Sequence, residues 1–309
     1  MGIALVFPGQ GAQAVGMGME LATRFPVARR ILDEADDVLN MSLSDIIANG
    51  PMEELTRTDM SQPAILVMSW MAHEVMMDVL KQVEIQAAAG LSLGEYTALL
   101  AADALDFADA LRLVRLRGQA MQDAAELQPS GMVALIGADE ASASALCAAV
   151  AQGEVLQVAN LNAPGQVVIS GTSAACERAV AAARDHGIRR AMPLPVAGAF
   201  HSALMAPAAE RLQAALDATH FRDPRVPVWA NASAQPVQRA DEIAPSLVRQ
   251  LTMPVRWADS VIAMQAAGVD QFWELGPGKT LCGMISRTVE GVSCRNVETP
   301  DQAFALIEA

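Results

Sequence analysis

The residues best suited to chemistry in this chain are one serine, one of four histidines and one arginine. Ser92 stands at the centre of Gly90-Leu91-Ser92-Leu93-Gly94. An apolar run at 85–89 precedes it and helical spacing follows over 96–102, so strand, sharp turn and helix are expected in that order. In that setting G-x-S-x-G presents a nucleophilic hydroxyl at a helix N-terminus, where backbone N–H groups can stabilise an oxyanion. Small flanking residues are required because the turn is tight and its serine takes strained backbone angles. An ordinary serine in a strand-to-helix turn has the same spacing and no chemistry.

A serine nucleophile needs a base. His73 falls inside an apolar helical pattern beside Trp70 and Met76, which suits a packed side chain. His186 precedes Gly187 at a helix end, where a cation suits the dipole, and His220 lies in an arginine-rich turn. His201 sits in Pro195-Val196-Ala197-Gly198-Ala199-Phe200-His201-Ser202, a loop leading into a helix. Loop placement on a rigid scaffold makes it the leading candidate, though position alone does not decide among the four.

The third group is Arg117. Phe107, Ala110, Leu111, Val114, Gly118, Met121 and Ala125 mark the apolar stripe of a helix over 106–127. At about 100° per residue Arg117 falls at the edge of that stripe, while Arg112 and Arg115 point away. An arginine at a buried boundary requires an anionic partner or an outward-reaching stem. The alternatives are an internal ion pair, a snorkelling side chain, or a fork that grips a substrate carboxylate.

Two glycine motifs carry less. Gly9-Gln10-Gly11 follows a strand, but Pro8 interrupts the turn of a dinucleotide fingerprint and no acid ends a second strand at the right distance. Gly276-Pro277-Gly278-Lys279-Thr280 resembles a phosphate loop, yet Trp273 replaces its first glycine. The amides of Gly9–Gly11 retain one use, completing an oxyanion hole.

The elements that must position these groups alternate strand and helix. Strands at 3–7 and 85–89, with helices between and after, imply a parallel sheet covered on both faces. An apolar helical pattern covers 63–79. Residues 131–196 read strand, helix, two strands around Asn162-Ala163-Pro164-Gly165, helix, strand, the βαββαβ order of a ferredoxin-like unit. Strand and helix patterns then resume at 226–231, 241–252, 261–267, 271–275 and a last helix from Leu281. The fold class is α/β: a hydrolase-like large domain over 1–128 and 198–309, with a ferredoxin-like subdomain inserted at 129–197.

Composition limits the function. The 309 residues are 52% hydrophobic and carry a formal charge of −14, so disorder and a phosphate-tracking face are both excluded. No run of about 18 uncharged apolar residues suggests a membrane span. The N-terminal residues lack the basic segment of a signal peptide and read as a strand. Cys147, Cys176, Cys282 and Cys294 include no C-x-x-C pair. They are expected to be reduced packing residues in a cytoplasmic protein that binds no metal.

Phe7-Pro8-Gly9-Gln10-Gly11-Ala12-Gln13, Gly90-Leu91-Ser92-Leu93-Gly94-Glu95-Tyr96, Arg115-Leu116-Arg117-Gly118, Asn162-Ala163-Pro164-Gly165-Gln166, Phe200-His201-Ser202 and Glu274-Leu275-Gly276-Pro277-Gly278 occur in one order. Together they resemble the malonyl-CoA:acyl-carrier-protein transacylases of type II fatty acid synthesis, over nearly the whole chain. The resemblance implies a malonyl ester on Ser92, with His201 as base and then acid. It implies an oxyanion hole from the backbone amides of Gln10 and Leu93, and support of the histidine by the Gln250 carbonyl. Arg117 would hold the malonyl carboxylate, and Phe200 would favour malonyl over a methyl-branched acyl group. No cofactor is implied; malonyl-CoA is a substrate, and acyl carrier protein the partner of a monomeric enzyme. Many members carry histidine where Leu91 stands here. Related readings are a free-standing acyltransferase serving a polyketide synthase or malonate decarboxylase, and a G-x-S-x-G esterase or thioesterase. Because the carrier is expected to be acidic, a local basic patch is also expected, with Arg189, Arg190, Lys279 and Arg287 as candidates.

Overall fold

Strand segments that are apolar throughout demand cover on both faces, and the computed structural model supplies it; the structure describes residues 2–80 and 83–306. The chain opens with β1 (Gly2–Phe7), four helices α1 (Met19–Arg24), α2 (Pro26–Leu39), α3 (Leu43–Asn49) and α4 (Met52–Thr56), and the long α5 (Thr58–Leu80). There follow β2 (Ile85–Gly90), α6 (Gly94–Ala101) and α7 (Phe107–Glu126). The middle segment is β3 (Ser130–Ile136), α8 (Glu140–Val150), β4 (Leu156–Ala163), β5 (Gln166–Thr172), α9 (Ser173–Ala182) and β6 (Arg190–Pro193). The chain then runs through α10 (Ala206–Ala218), β7 (Val228–Trp229), β8 (Pro236–Val237), α11 (Ala240–Thr252) and α12 (Trp257–Ala266). It closes with β9 (Val269–Leu275), α13 (Thr280–Thr288), β10 (Ser293–Val297) and α14 (Pro300–Ala305).

The larger sheet has the order β10-β9-β1-β2-β7-β8, parallel except for the β8 edge. Its centre is built from small residues: Ala87, Ala88 and Ala89 of β2 are buried and let helices approach closely. The smaller sheet has the antiparallel order β4-β5-β3-β6, the ferredoxin-like arrangement. Its side chains alternate as a strand period requires. Val133, Leu135 and Ile169 pack under α8 and α9, whereas Met132, Ala134 and Val168 face the core of the larger sheet. Edge strand β4 is stitched across the gap by Leu161 N–H to Val255 O and Val255 N–H to Ala159 O, both 2.8 Å.

Several expectations change. Helix α5 begins five residues before position 63 and carries Pro63 inside it. Proline cannot donate to the carbonyl four residues back, that of Asp59. Arg115 donates to that carbonyl instead, and its guanidinium also pairs with the Asp59 carboxylate at 3.0 Å. Arg115 is therefore a tie between α7 and α5 rather than an outward-pointing cation. By length and composition α5 could also cross a membrane, but Glu74 interrupts any uncharged run of 18 residues and about two thirds of its apolar stretch is buried inside the fold. The strand expected at 226–231 shortens to two residues, since Pro227 offers no ladder donor. Strands β8 and β10 and helix α14 were not anticipated.

The cysteines divide. Cys147 and Cys176 are buried thiols, but Cys282 and Cys294 form a disulfide between α13 and β10. A spacing of 12 residues is no barrier once a turn returns the chain alongside its helix, bringing the Cα atoms to 5.3 Å. The expectation of four reduced cysteines fails, and with it the argument from cysteines to compartment.

Candidate active site

The elbow at Ser92 is built by close approach. A Cβ on Gly90 would collide with the Gly94 backbone, and one on Gly94 with the carbonyl of Phe7. The tight passage of strand into helix therefore demands glycine on both sides. Ser92 itself has φ 53°, a left-handed conformation costing about 1–3 kcal/mol that the surroundings must hold. His201 shares this property with φ 56°.

These two strained residues meet. Ser92 Oγ lies 2.8 Å from His201 Nε2. On the other side of the ring, Nδ1 is 2.7 Å from the carbonyl oxygen of Gln250. A carbonyl only accepts, so Nδ1 carries the proton and Nε2 is left to accept from the serine. Burial first, and the charge of Arg117 second, push the His201 pKa down to about 4, against an opposing hydrogen bond to Gln250. The imidazole is thus neutral and able to take a proton throughout the neutral range. Acylation of Ser92 is accordingly expected to stay flat as pH falls to about 5. A rate profile that bends near the ordinary histidine value, and still does so in Glu95→Gln where the other buried group at the site titrating in this range is gone, would contradict this assignment.

Arg117 is 1% exposed, so its stem does not snorkel. Nη1 donates to Gln62 Oε1 at 2.6 Å; Nη2 donates to Ser92 Oγ at 2.8 Å and Gln250 Oε1 at 3.0 Å. Every one of these partners is uncharged. Among the described residues Arg117 has no carboxylate ion pair, and its Nε–H has no partner. Of the three alternatives left by helical spacing, the fork toward a bound anion is the one these contacts favour. Burial lowers the arginine's pKa, while the nearby Tyr96 and Glu95 oppose that shift.

Ser92 and His201 open into a cavity of about 300 Å³ between the two sheets. Gln10, Leu91, Met121 and Phe200 line it from the larger part, Met132, Asn160, Asn162 and Val168 from the smaller sheet, and Thr280 and Met284 from α13. The Gln10 and Leu93 backbone N–H groups have no acceptor among the described residues. The other histidines lie elsewhere: His73 stacks on Trp70 with ring centroids 4.6 Å apart, and His186 ends a short 3₁₀ turn.

Three buried polar residues at the site escaped sequence reasoning. Gln62 binds Arg117 from α5. Asn231 contacts the elbow on both sides, accepting from Ser92 N–H at 2.6 Å and donating to Gly90 O at 2.7 Å. Glu95 accepts from Asn231 N–H at 3.0 Å and from Gln250 Nε2 at 2.8 Å. Burial dominates its environment and raises its pKa to about 7. Asn231 did carry a signal, a polar residue just past the carboxyl end of a parallel strand. Gln62 carried none.

Comparison with known proteins places this arrangement. The acyl transferase domain matches residues 4–301. The malonyl CoA-acyl carrier protein transacylase of Bacillus subtilis is 43% identical over 99% of this chain and 97% of its own length. That of Escherichia coli K12 is 42% identical over 99% and 98%. Among solved structures, the transacylase of Coxiella burnetii superposes with a TM-score of 0.96 at 36% identity, covering 100% of this chain and 97% of that one. A malonyl-transacylase in complex with its type II PKS acyl-carrier protein gives 0.96 at 41% identity, over 100% and 99%. With an elbow serine, a neighbouring histidine and full-length likeness of this degree, the chain belongs to the acyl transferase family.

Proposed function

We propose that this chain moves a malonyl group from malonyl-CoA to the phosphopantetheine thiol of acyl carrier protein, through an ester on Ser92, for fatty acid synthesis. One observation carries the reading: Ser92 Oγ sits between a neutral imidazole and a buried guanidinium, each 2.8 Å away. Only one CH₂ separates the carboxylate of a malonyl group from its thioester carbon. A cation that grips the carboxylate must therefore lie beside the nucleophile.

His201 takes the Ser92 proton as Oγ attacks the thioester carbon. The tetrahedral oxyanion is received by the N–H groups of Gln10 and Leu93, a reading supported by their having no other acceptor among the described residues. Collapse expels the coenzyme A thiolate, protonated by His201. The carrier thiol then repeats the cycle in reverse, which gives ping-pong kinetics. Phe200, buried immediately before His201, crowds the carbon that would bear an α-methyl, worth about 1–3 kcal/mol of discrimination. Leu91 lines the cavity without entering these steps.

We take 1–128 and 198–309 as the acyltransferase body and 129–197 as an inserted subdomain; the separate apolar cluster beneath α8 and α9 supports that division. Ser92, His201 and Arg117 meet within hydrogen-bond reach inside a single chain, so one copy suffices for the chemistry, and we further infer a monomeric enzyme of the cytoplasm. Arg189, Arg190, Lys279 and Arg287 are all exposed, and Lys279 directly precedes the cavity-lining Thr280. Incubation with radiolabelled malonyl-CoA and purified holo carrier protein is expected to yield malonyl-carrier in excess of free malonate. Predominant hydrolysis would instead mark a thioesterase. In the same assay, Lys279→Ala with Arg287→Ala is expected to raise KM for carrier while sparing loading from malonyl-CoA. An unchanged value would remove these two from the docking surface.

A further inference from the structure

We propose that Asn231 and Glu95 form a positioning clamp that holds the Ser92 elbow and registers it with His201; this rests on Ser92 being the nucleophile. The pairing of β1 with β2 ends at Gly90, and the left-handed turn leaves the Gly90 carbonyl and the Ser92 N–H facing the same side chain. One is an acceptor and the other a donor. A primary amide answers both, and Asn231 does so from beyond β7, donating through Nδ2 and accepting through Oδ1. Because Oδ1 occupies the Ser92 amide, that N–H is withdrawn from oxyanion duty and the next one, on Leu93, is left for it.

The clamp reaches the base through one carboxylate oxygen. Glu95 Oε2 accepts from the Asn231 backbone and from Gln250 Nε2. Gln250 Nε2 also donates to Ser92 O at 2.8 Å, and its backbone carbonyl orients His201. Nucleophile and base, 109 residues apart in sequence, are thereby tied to the same buried oxygen. The titratable groups facing the network are Glu95 and Tyr96 on α6, Arg117 on α7 and His201 in its loop.

Asn231→Asp keeps shape and the acceptor toward Ser92 but turns the donor into a second acceptor against Gly90 O. At about pH 8, kcat for malonyl transfer is expected to fall by roughly 10²-fold, with KM for malonyl-CoA within about threefold, as misplacement of reacting groups predicts. On lowering the pH to about 5.5 the introduced carboxyl takes up a proton and can donate again, so the ratio of variant to parent kcat should rise at least about tenfold. Glu95→Gln, which retains an acceptor oxygen, should keep most of the kcat that Glu95→Ala loses. A variant N231D with parental kcat, or with an equal deficit at both pH values, would overturn the clamp, whether or not Glu95→Ala folds. Ser92→Ala run alongside separates the two readings. If it still transfers malonyl, the nucleophile is misassigned; if it is dead while N231D is fully active, only the clamp is wrong.

Discussion

Ser92→Ala is expected to abolish the malonyl-protein ester and to lower transfer by about 10⁴–10⁶-fold, the range seen when a nucleophile of a coupled catalytic set is removed. The loss is large because the remaining groups lack a target. His201 would hold a neutral Nε2 facing a methyl group, and the Arg117 guanidinium would lose one of its three partners. Removing the hydroxyl also relieves no packing, since the strain at φ 53° belongs to the backbone. Thermal unfolding should therefore change little while activity disappears. Labelling with radioactive malonyl-CoA, followed by denaturing electrophoresis, checks the ester directly. Equal labelling of the variant and the parent would sink the mechanism.

Arg117→Ala is expected to cut kcat/KM for malonyl by about 10²–10³-fold, because truncating one partner of a buried charge pair costs on the order of 2–5 kcal/mol. Acetyl transfer, which presents no carboxylate, should suffer far less. Arg117→Lys should fall between the two, since an ammonium cannot match the bidentate geometry of a guanidinium. A second readout follows from electrostatics. Burial is the main cause of the His201 pKa near 4 and the charge of Arg117 the second, so deleting that charge lets the value rise part of the way toward 6.5. Loading of acetyl by Arg117→Ala should then weaken as pH falls through that interval, where the parent stays flat. The sign is set by repulsion: a nearby cation disfavours imidazolium, and deleting it restores proton affinity. If malonyl and acetyl transfer fall alike with an unmoved acid limb, Arg117 is not a carboxylate clamp.

What could be read in advance divides by the distance over which the information is carried. The elbow was legible because strand, glycine, serine, glycine and helix follow within about a dozen residues, and turn stereochemistry is local. Arg117 was legible as a boundary residue because a helix repeats every 3.6 residues, so its side is set by immediate neighbours. Arg115, two positions earlier, was misread for a non-local reason: the carbonyl released by Pro63 lies 56 residues away from it. The same limit hid the disulfide, which depends on where β10 lands beside α13.

The sequence by itself therefore determined the two-part α/β architecture and drew attention to the elbow serine and the boundary arginine, while His201 stood out among the four histidines chiefly through the family resemblance. Only the tertiary structure decided how they are held. It placed Asn231, 139 residues from Ser92, against both ends of the elbow, and joined Glu95 to Gln250 across 155. It also settled that Arg117 meets neutral amides and a hydroxyl rather than a carboxylate. Periodicity shows which way a side chain faces within its own element. What it meets there depends on which strands become neighbours, and that is a property of the assembled sheets.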